Sequence, residues 1–487
     1  MKKKNAPVPG RVRRRIFPAV LLLALAGALL AVNLLAGALE KRYGWRRDFS
    51  FNAVTTQSET TLAVLESLPH PVHVYALFRR GDEDAPLLEL LDRYAAASPA
   101  FTWEQVDISV SPGLLNKFRS ALPENSVTNN SLVVWCEATD RYRVLSYESF
   151  VGQSYDPETG NYVYNTLTYE RAITSALRYV SLETVPRAMI VQGHGELDQE
   201  ETALLADLLD SNGYDVGYFT LNAAQANLAP GDLLFLLSPQ RDLSPTELDT
   251  VTAFLRAGGS VFFSCDYSDP VESMPNYASL LRYYGFLPLE GVVVASTEEP
   301  GTCYENNRLF LLPLMDYTEI TAPMKENGAA TLLMAGCRAF RVPEEADAAL
   351  QTDPVLLSGE KAHLLPVAEN RLSLDPREGD ARGPFALALM ARRITDTGSV
   401  SRAFVLGSSS LLTSQEIYAM TDAQEFIIRT AAFLESAGPD SLAIMAKAAL
   451  RPQLSARSVF PGTLAVFMLP ALVLVAAFLV LGPRRKL

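Results

Sequence analysis

Two long apolar segments near the ends of the chain constrain its architecture more than any other feature. Residues 16–39 and residues 460–482 each form a run of more than 20 residues without a charged side chain. Roughly 20 apolar residues of helix are needed to cross the hydrocarbon core of a bilayer. The pattern therefore predicts one transmembrane helix at each end, anchored in membrane lipid.

The charges that flank these segments predict how the chain is oriented. Residues 1–15 contain seven basic residues and no acidic one, and residues 483–487 contain three basic residues and no acidic one. Lys and Arg next to a span favour the cytoplasmic side. We therefore expect a cell-membrane protein with both tails cytoplasmic and the main domain extracytoplasmic. The alternative for the first segment is a cleaved signal peptide, with a small-residue site at residues 36–38.

The part of the chain between the two segments is acidic and poor in metal-binding side chains. Ten of the 42 basic residues lie in the two tails, together with none of the 55 acidic residues. An acidic surface repels nucleic acid, so no nucleic-acid partner is expected. The four cysteines include no CxxC pair and the four histidines form no cluster. We therefore predict neither a metal site nor a cofactor.

The order of strand-like and helix-like segments predicts two extracytoplasmic α/β domains. Residues 48–182 alternate strand and helix patterns and form the first domain. In residues 185–436 strands such as 187–192 alternate with helices such as 197–213, which is typical of a doubly wound, mostly parallel sheet. Residues 437–459 are interpreted as a linker to the second span. The predicted fold class is thus α/β and membrane-anchored, with one N-terminal and one C-terminal transmembrane helix.

One predicted helix, at residues 244–259, carries a particularly clear starting signal. Ser244 stands at the N-cap position, Pro245 in the first turn and Glu247 three residues after the cap. This spacing is that of a capping box, in which the Ser and Glu side chains satisfy backbone amides that the helix itself leaves unpaired.

The tetrapeptide of Gly193, His194, Gly195 and Glu196 follows the first strand of the second domain. Ligands of open α/β sheets bind at the carboxyl ends of the strands, where this motif is expected to lie. Its glycines allow a sharp turn, and its acid can stabilise a helix start. These four residues are candidates for a ligand or partner contact; the alternative, which the residues themselves favour, is a purely structural turn.

Asp266 ends another strand at the same predicted edge and is a further candidate contact. Its neighbour Cys265 could be considered as a nucleophile, but a cysteine nucleophile needs a histidine base. Only His194 and His363 are available for that role, and neither stands in an expected motif. The residues after Cys265 also lack the glycine-flanked turn of a nucleophile elbow. We therefore predict no catalytic residue and no enzymatic activity.

Several motifs of the second domain occur together in one known family. In order they read RAMIVQGHGE, NGYDV, GDLLFLLSPQRDLSPTEL, FLRAGGSVFFSCD and LLRYYGFLPLEGVVV. The chain resembles the auxiliary component of ABC-type exporters, the group that includes the gliding-motility-associated auxiliary proteins. Two further segments, PHPVHVYALF and FVLGSSSLL, are similar to parts of that family. The chain departs from it at Ser408–Ser410, where the family often carries an acid.

The resemblance implies a fold, partners and a function. The fold would be similar to that of class I glutamine amidotransferases, and the partners would be a permease and an ATPase. The chain contains no P-loop, so ATP hydrolysis would come from the partner. We expect a non-catalytic auxiliary subunit that binds a substrate or envelope partner and docks its spans on the permease. The alternatives are a membrane-anchored amidotransferase-like or hydrolase enzyme, and a glycan- or envelope-binding module independent of a transporter.

Overall fold

Short strands alternate with amphipathic helices along most of the chain. The computed structural model describes residues 55–110, 130–156, 161–221, 228–326, 330–343, 347–366, 373–435 and 447–448. All of these residues fall within one compact unit.

The helices begin where side chains can satisfy free backbone amides. Ser58, Asp84, Ser244 and Ser414 each accept a hydrogen bond from an amide of the first turn of the helix that follows. At Ser244 both halves of the predicted capping box are formed. In chain order the helices are α1 (Glu59–Glu66), α2 (Ala85–Ala97), α3 (Tyr169–Ser181), α4 (Ala203–Ser211), α5 (Pro245–Arg256), α6 (Pro275–Tyr283), α7 (Ala322–Glu326), α8 (Ser410–Thr413), α9 (Gln415–Met420) and α10 (Ala423–Glu435).

The strands are short, and those at the centre of the core consist almost wholly of apolar residues. The first ten strands are β1 (Val72–Leu77), β2 (Phe101–Val106), β3 (Ser131–Cys136), β4 (Arg141–Leu145), β5 (Val151–Asp156), β6 (Asn161–Leu167), β7 (Arg187–Val191), β8 (Asp215–Phe219), β9 (Leu233–Leu237) and β10 (Ser260–Ser264). The later strands are β11 (Leu287–Pro288), β12 (Val292–Val294), β13 (Cys303–Tyr304), β14 (Asn307–Leu311), β15 (Leu314–Met315), β16 (Met334–Ala335), β17 (Phe340–Arg341), β18 (Leu350–Leu357), β19 (His363–Leu365), β20 (Ala386–Ile394), β21 (Val400–Leu406) and β22 (Lys447–Ala448).

The largest sheet contains ten strands, five of which lie side by side and parallel in the order β8-β7-β9-β10-β21. β7 pairs with β8 on one side and with β9 on the other, so the winding of the chain changes direction at β7. β20 then pairs antiparallel with β21. The strands β17, β11, β18 and β15 extend the sheet beyond β20 by antiparallel pairing.

The core packs on both faces of this sheet. All five residues of β9 and all five of β10 are buried, as expected for central parallel strands covered on both sides. On one face the rings of Phe235, Phe262 and Phe404 follow one another at 5.4 and 5.2 Å between centroids. On the other face Phe263 packs edge-on to Tyr277. The alternation of side chains along β10 thus divides the core into two layers.

A four-stranded sheet in the order β2-β1-β3-β4 precedes the large sheet in the chain. Its β1–β2 pair is parallel, and its other two pairs are antiparallel. α3 packs on it with Ile173 and Leu177 fully buried. Arg178 of the same helix forms an ion pair with Glu435 at the end of α10, which ties this sheet to the large one. Three small sheets complete the described fold: β12-β19, β13-β14-β16 and β22-β6-β5.

The described helices do not support the predicted transmembrane architecture. Within the described ranges the longest helices have 13 residues, or about 20 Å at 1.5 Å per residue, and none is long and apolar enough to traverse a bilayer. This finding contradicts the predicted fold class with two flanking spans. It likewise contradicts the predicted cell-membrane location with an extracytoplasmic main domain. The observed fold is mixed α/β with several sheets.

The segments assigned to the spans, residues 16–39 and 460–482, lie outside the described residues, as do the tails 1–15 and 483–487. The predicted domain ranges 48–182 and 185–436 and the linker 437–459 stay predictions. Within that linker range, the described residues 447–448 form β22 and pair antiparallel with β6.

The close approach of β21 to a neighbouring loop yields a stability prediction. A Cβ atom on Gly407 would lie 2.2 Å from the carbonyl oxygen of Arg338 and 2.9 Å from that of Leu387. Both obstacles are backbone, so Gly407→Ala should lower the free energy of unfolding by about 3 kcal/mol in urea denaturation. Gly231→Ala is the matched control, because a Cβ atom there meets nothing within 4 Å. Equal stability of the two variants would contradict the packing described.

Candidate functional site

Four loops converge at one edge of the large sheet because β7, β9, β10 and β21 are parallel and end there. The turn Gly193–Glu196 follows β7, Ser238 follows β9, Asp266 follows β10 and Ser409 follows β21. The edge between β7 and β9 is also where the winding reverses, the usual ligand position in open α/β sheets. We refer to His194, Glu196, Gln240, Asp266, Asp269 and Ser409 as the carboxyl-edge cluster.

The turn after β7 is fixed against the loop after β9. Gly193 and Gly195 have φ angles of +125° and +74°, which favour glycine. The carbonyl oxygen of His194, between them, accepts hydrogen bonds from the backbone amides of Gln240 and Arg241, both at 2.9 Å. A Cβ atom on Gly195 would lie 3.2 Å from Cβ of Gln240. The two glycines therefore allow the turn to lie directly on its neighbour.

The ring of His194 lies between two carboxylates. Its Nδ1 is 3.0 Å from Oε1 of Glu196, and its Nε2 is 3.1 Å from Oε2 of Glu247 on α5. The hydrogen bond to Glu196 raises the pKa of His194, burial opposes it, and the bond to Glu247 adds to the increase. An imidazolium that donates from both nitrogens satisfies this arrangement.

Glu196 and Glu247 complete this arrangement from two directions. Oε2 of Glu196 accepts the backbone amide of His194 at 2.6 Å, and the side chain of Glu196 is 1% exposed. Glu247 belongs to the capping box of α5. Burial raises the pKa of Glu247, but its hydrogen bonds with Ser244 and His194 outweigh this effect and lower the pKa. The geometry fits the structural-turn interpretation of the motif, since both ring nitrogens of His194 are occupied. A contact of residues 193–196 with a ligand or partner stays a prediction.

Asp266 and Asp269 form the second half of the cluster. Asp266 accepts hydrogen bonds at 2.5 Å from both the backbone amide and the hydroxyl of Ser409. Asp269 accepts the backbone amide of Asp266 at 2.7 Å and Nε2 of Gln240 at 2.8 Å. Burial raises the pKa of both carboxyls. The negative charge of Asp266 raises the pKa of Asp269 further, to about 6. Gln240 thus joins the turn after β7 to the acidic pair.

Arg338 supports this loop and was not predicted. Its side chain is almost fully buried and donates to the carbonyl oxygens of Asp266 at 2.9 Å, Tyr267 at 3.2 Å and Asp269 at 2.7 Å. It also contacts the carboxylate of Glu272 at 3.1 Å. A buried guanidinium needs this many acceptors. The one signal in the sequence was a single charged residue within the apolar stretch 332–340.

The residues considered for catalysis are not arranged for it. The thiol of Cys265 is fully buried, and burial raises its pKa well above the ordinary value. A reactive cysteine requires the opposite environment, one that favours the thiolate. The ring of His194 is held by two carboxylates, and His363 is fully buried. Across the described ranges, no group of three or more His, Cys, Asp or Glu side chains could hold a metal ion.

The comparison with protein families bears directly on this edge of the sheet. Residues 186–290 match the model of a family described as an ABC-type uncharacterized transport system. The match supports the auxiliary ABC transport family that the sequence motifs indicated. The function that this family implies is that of an auxiliary component of an ABC-type transport system. No curated protein matches the chain in sequence.

Solved structures show only distant similarity. The mmIFT52 N-terminal domain is 14% identical with a TM-score of 0.38, covering 51% of this chain and 96% of that one. A cytoplasmic protein from Salmonella typhimurium is 12% identical with a TM-score of 0.31, covering 51% and 98%. Alpha-L-fucosidase isoenzyme 2 from Paenibacillus thiaminolyticus is 13% identical with a TM-score of 0.29, covering 51% and 33%. Nothing about this chain follows from scores of this size.

The two carboxylates around His194 predict its titration. In an NMR titration of the histidine rings, His194 should have its midpoint above 6.5 because its hydrogen bond to Glu196 stabilises the imidazolium. His363 should have its midpoint below 6.5, because burial and then the charge of Arg308 lower its pKa. Glu196→Gln should lower the midpoint of His194 and leave that of His363 unchanged. A midpoint for His194 at or below that of His363 would contradict the geometry.

The raised pKa of Asp269 predicts a pH dependence of stability. The folded-state pKa of Asp269, about 6, lies above its unfolded value, so the folded protein favours the protonated carboxyl. The contribution of Asp269 to the free energy of unfolding is therefore greatest below about pH 4 and is lost as the pH rises through 6. Relative to the wild type, Asp269→Asn should therefore gain stability between pH 4 and pH 7, by roughly 3 kcal/mol for a shift of this size. Urea denaturation at a series of pH values measures this. Asp249→Asn, at an exposed position on α5, is the control and should show no such trend.

Proposed function

We propose that this chain is a non-catalytic auxiliary subunit of an ABC-type transport system, and that the exposed residues held in place by the carboxyl-edge cluster form its contact surface for a partner subunit. The observation that carries the proposal is the family match at residues 186–290. The matched segment begins just before β7 and contains every residue of the cluster except Ser409.

The hydrogen-bond network of the cluster is suited to recognition of a partner protein. Its inner groups form a continuous hydrogen-bonded network, from Glu196 through His194 and Gln240 to Asp269. This network fixes the positions of residues that face outward, among them the exposed Arg241 and Tyr267, the latter 37% exposed. Arginine and tyrosine are enriched at protein interfaces. A rigid inner network reduces the conformational entropy lost on binding.

The work of transport would be divided between this subunit and its partners. The sequence contains no P-loop, so ATP hydrolysis would belong to an ATPase subunit and passage of the substrate to a permease. The buried, high-pKa thiol of Cys265 and the fully engaged ring of His194 argue against a cysteine-dependent hydrolase or amidotransferase reaction. The auxiliary subunit would act through binding.

Site-specific photo-cross-linking tests this proposal. A photoreactive amino acid at Arg241, beyond the carboxyl end of β9, should cross-link in cells to a permease or ATPase subunit of an ABC transport system. The same amino acid at Gly231, an exposed position before the amino end of β9, is the matched control and should give no such product. Mass spectrometry identifies the products. The proposal is wrong if position 241 cross-links to no transport subunit, or if both positions give the same product.

A further inference from the structure

A second candidate site lies between the four-stranded sheet and the helices of the large sheet. A cleft of about 590 Å³ is bounded by β4 and α3 on one side and by α4, α9 and α10 on the other. None of the described residues that line it belongs to the carboxyl-edge cluster. We refer to it as the α3–α4 cleft. Its volume is within the range of about 300–1,000 Å³ typical of small-molecule sites.

Arg171 of α3 brings a positive charge into this cleft without a matching negative one. Among the described residues its one polar contact is Nη1 to Oε1 of Gln424, at 3.5 Å. Burial lowers the pKa of Arg171, and within the described part of the chain no carboxylate opposes that effect. Nearby arginines are different: Arg143 is paired with Asp210, and Arg178 is paired with Glu435. A partly buried cation without a carboxylate partner among the described residues is unfavourable, which makes Arg171 a natural binding group for an anion.

Tyr418 of α9 is a second unsatisfied group in the lining. The residue is 8% exposed, and its hydroxyl has no hydrogen-bond partner among the described residues. A buried hydroxyl that donates to nothing is costly and rare in native proteins. An anionic oxygen in the cleft would accept a hydrogen bond from Tyr418 as well as from Arg171.

The rest of the lining limits the kind of ligand. Val144, Leu145, Leu204 and Leu208 give the cleft an apolar part from both sides. Asp207 is also in the lining, but it is exposed and would disfavour a ligand with several negative charges. The chemistry fits a molecule with one anionic head and a short apolar body.

We infer that the α3–α4 cleft binds a small amphipathic anion, whose carboxylate or phosphate head is held by Arg171 and Tyr418 and whose apolar body packs between β4 and α4. This site is separate from the carboxyl-edge cluster, and its occupation does not depend on the function proposed for that cluster. It would let a small metabolite bind where the two sheets of the protein are joined.

Titration calorimetry of the full-length chain tests the inference with three probes: octanoate, octyl phosphate and uncharged octanol. At least one of the two anions should bind with saturation at a single site, and octanol should bind at least about tenfold more weakly. The stronger anion identifies the head group. Saturable binding of neither anion, or binding of octanol as tight as that of the anions, would overturn the inference.

Two variants and one control locate the site. Arg171→Met should weaken binding of the anion by about ten- to a hundredfold, and Tyr418→Phe by about three- to tenfold. Arg256→Met removes the same charge at an exposed position on α5 and should bind as the wild type does. In buffer without the probe, Arg171→Met should melt at the same temperature as the wild type or higher, since it removes a partly buried charge that has no carboxylate partner among the described residues. Unchanged affinity of a folded Arg171→Met would show that the anion binds elsewhere.

Discussion

The parallel pairing of β7, β9, β10 and β21 is the constraint on which the rest of the structure depends. Because these strands run in the same direction and in register, the loops that follow them meet at one edge of the sheet. The sequence separation between these loops is large, from about residue 193 to residue 409. Only the sheet brings them within hydrogen-bond distance, and the strands can pair in this way because their apolar residues are buried on both faces.

The two sites differ in how completely their polar and charged side chains are paired. At the carboxyl edge almost every buried polar group has a partner: His194 between two carboxylates, Asp266 against Ser409, and Arg338 against backbone carbonyls. Such a network is rigid and suits a contact surface for a partner. In the α3–α4 cleft, by contrast, Arg171 and Tyr418 keep unused hydrogen-bonding capacity as far as the described residues go. The paired groups at the carboxyl edge favour a preformed protein interface. The groups of the α3–α4 cleft favour binding of a ligand that would supply their missing hydrogen bonds.

Local signals in the sequence predicted local structure well. The capping box at Ser244 and Glu247 is formed as its spacing indicated, because it depends only on side chains within one turn. The helix predicted at residues 197–213 is shorter, Ala203–Ser211, because the side chain of Asp198 accepts the amides of Glu200 and Glu201 and holds a turn there instead.

Long-range features could not be predicted in the same way. The polar segment 340–384 has no clear periodicity, yet it contains β18, whose antiparallel pairing with β20 spans up to eight residues of a distant strand. The partners of Arg338 come from a loop some 70 residues earlier, and nothing in its local sequence identifies them. Apolar length alone predicted a two-span architecture, and that inference failed against the helices that the structure describes. The resemblance in residues 187–290 was more informative, since it combines several motifs in a fixed order.

The central claim is that this chain works as an auxiliary subunit of an ABC-type transport system. The most direct measurement is purification of the tagged full-length chain from its own cells under mild conditions, followed by quantitative mass spectrometry. The account predicts that one ATPase subunit and one permease copurify in a constant ratio to the chain. Recovery of the intact, folded chain without any ABC ATPase or permease would contradict it.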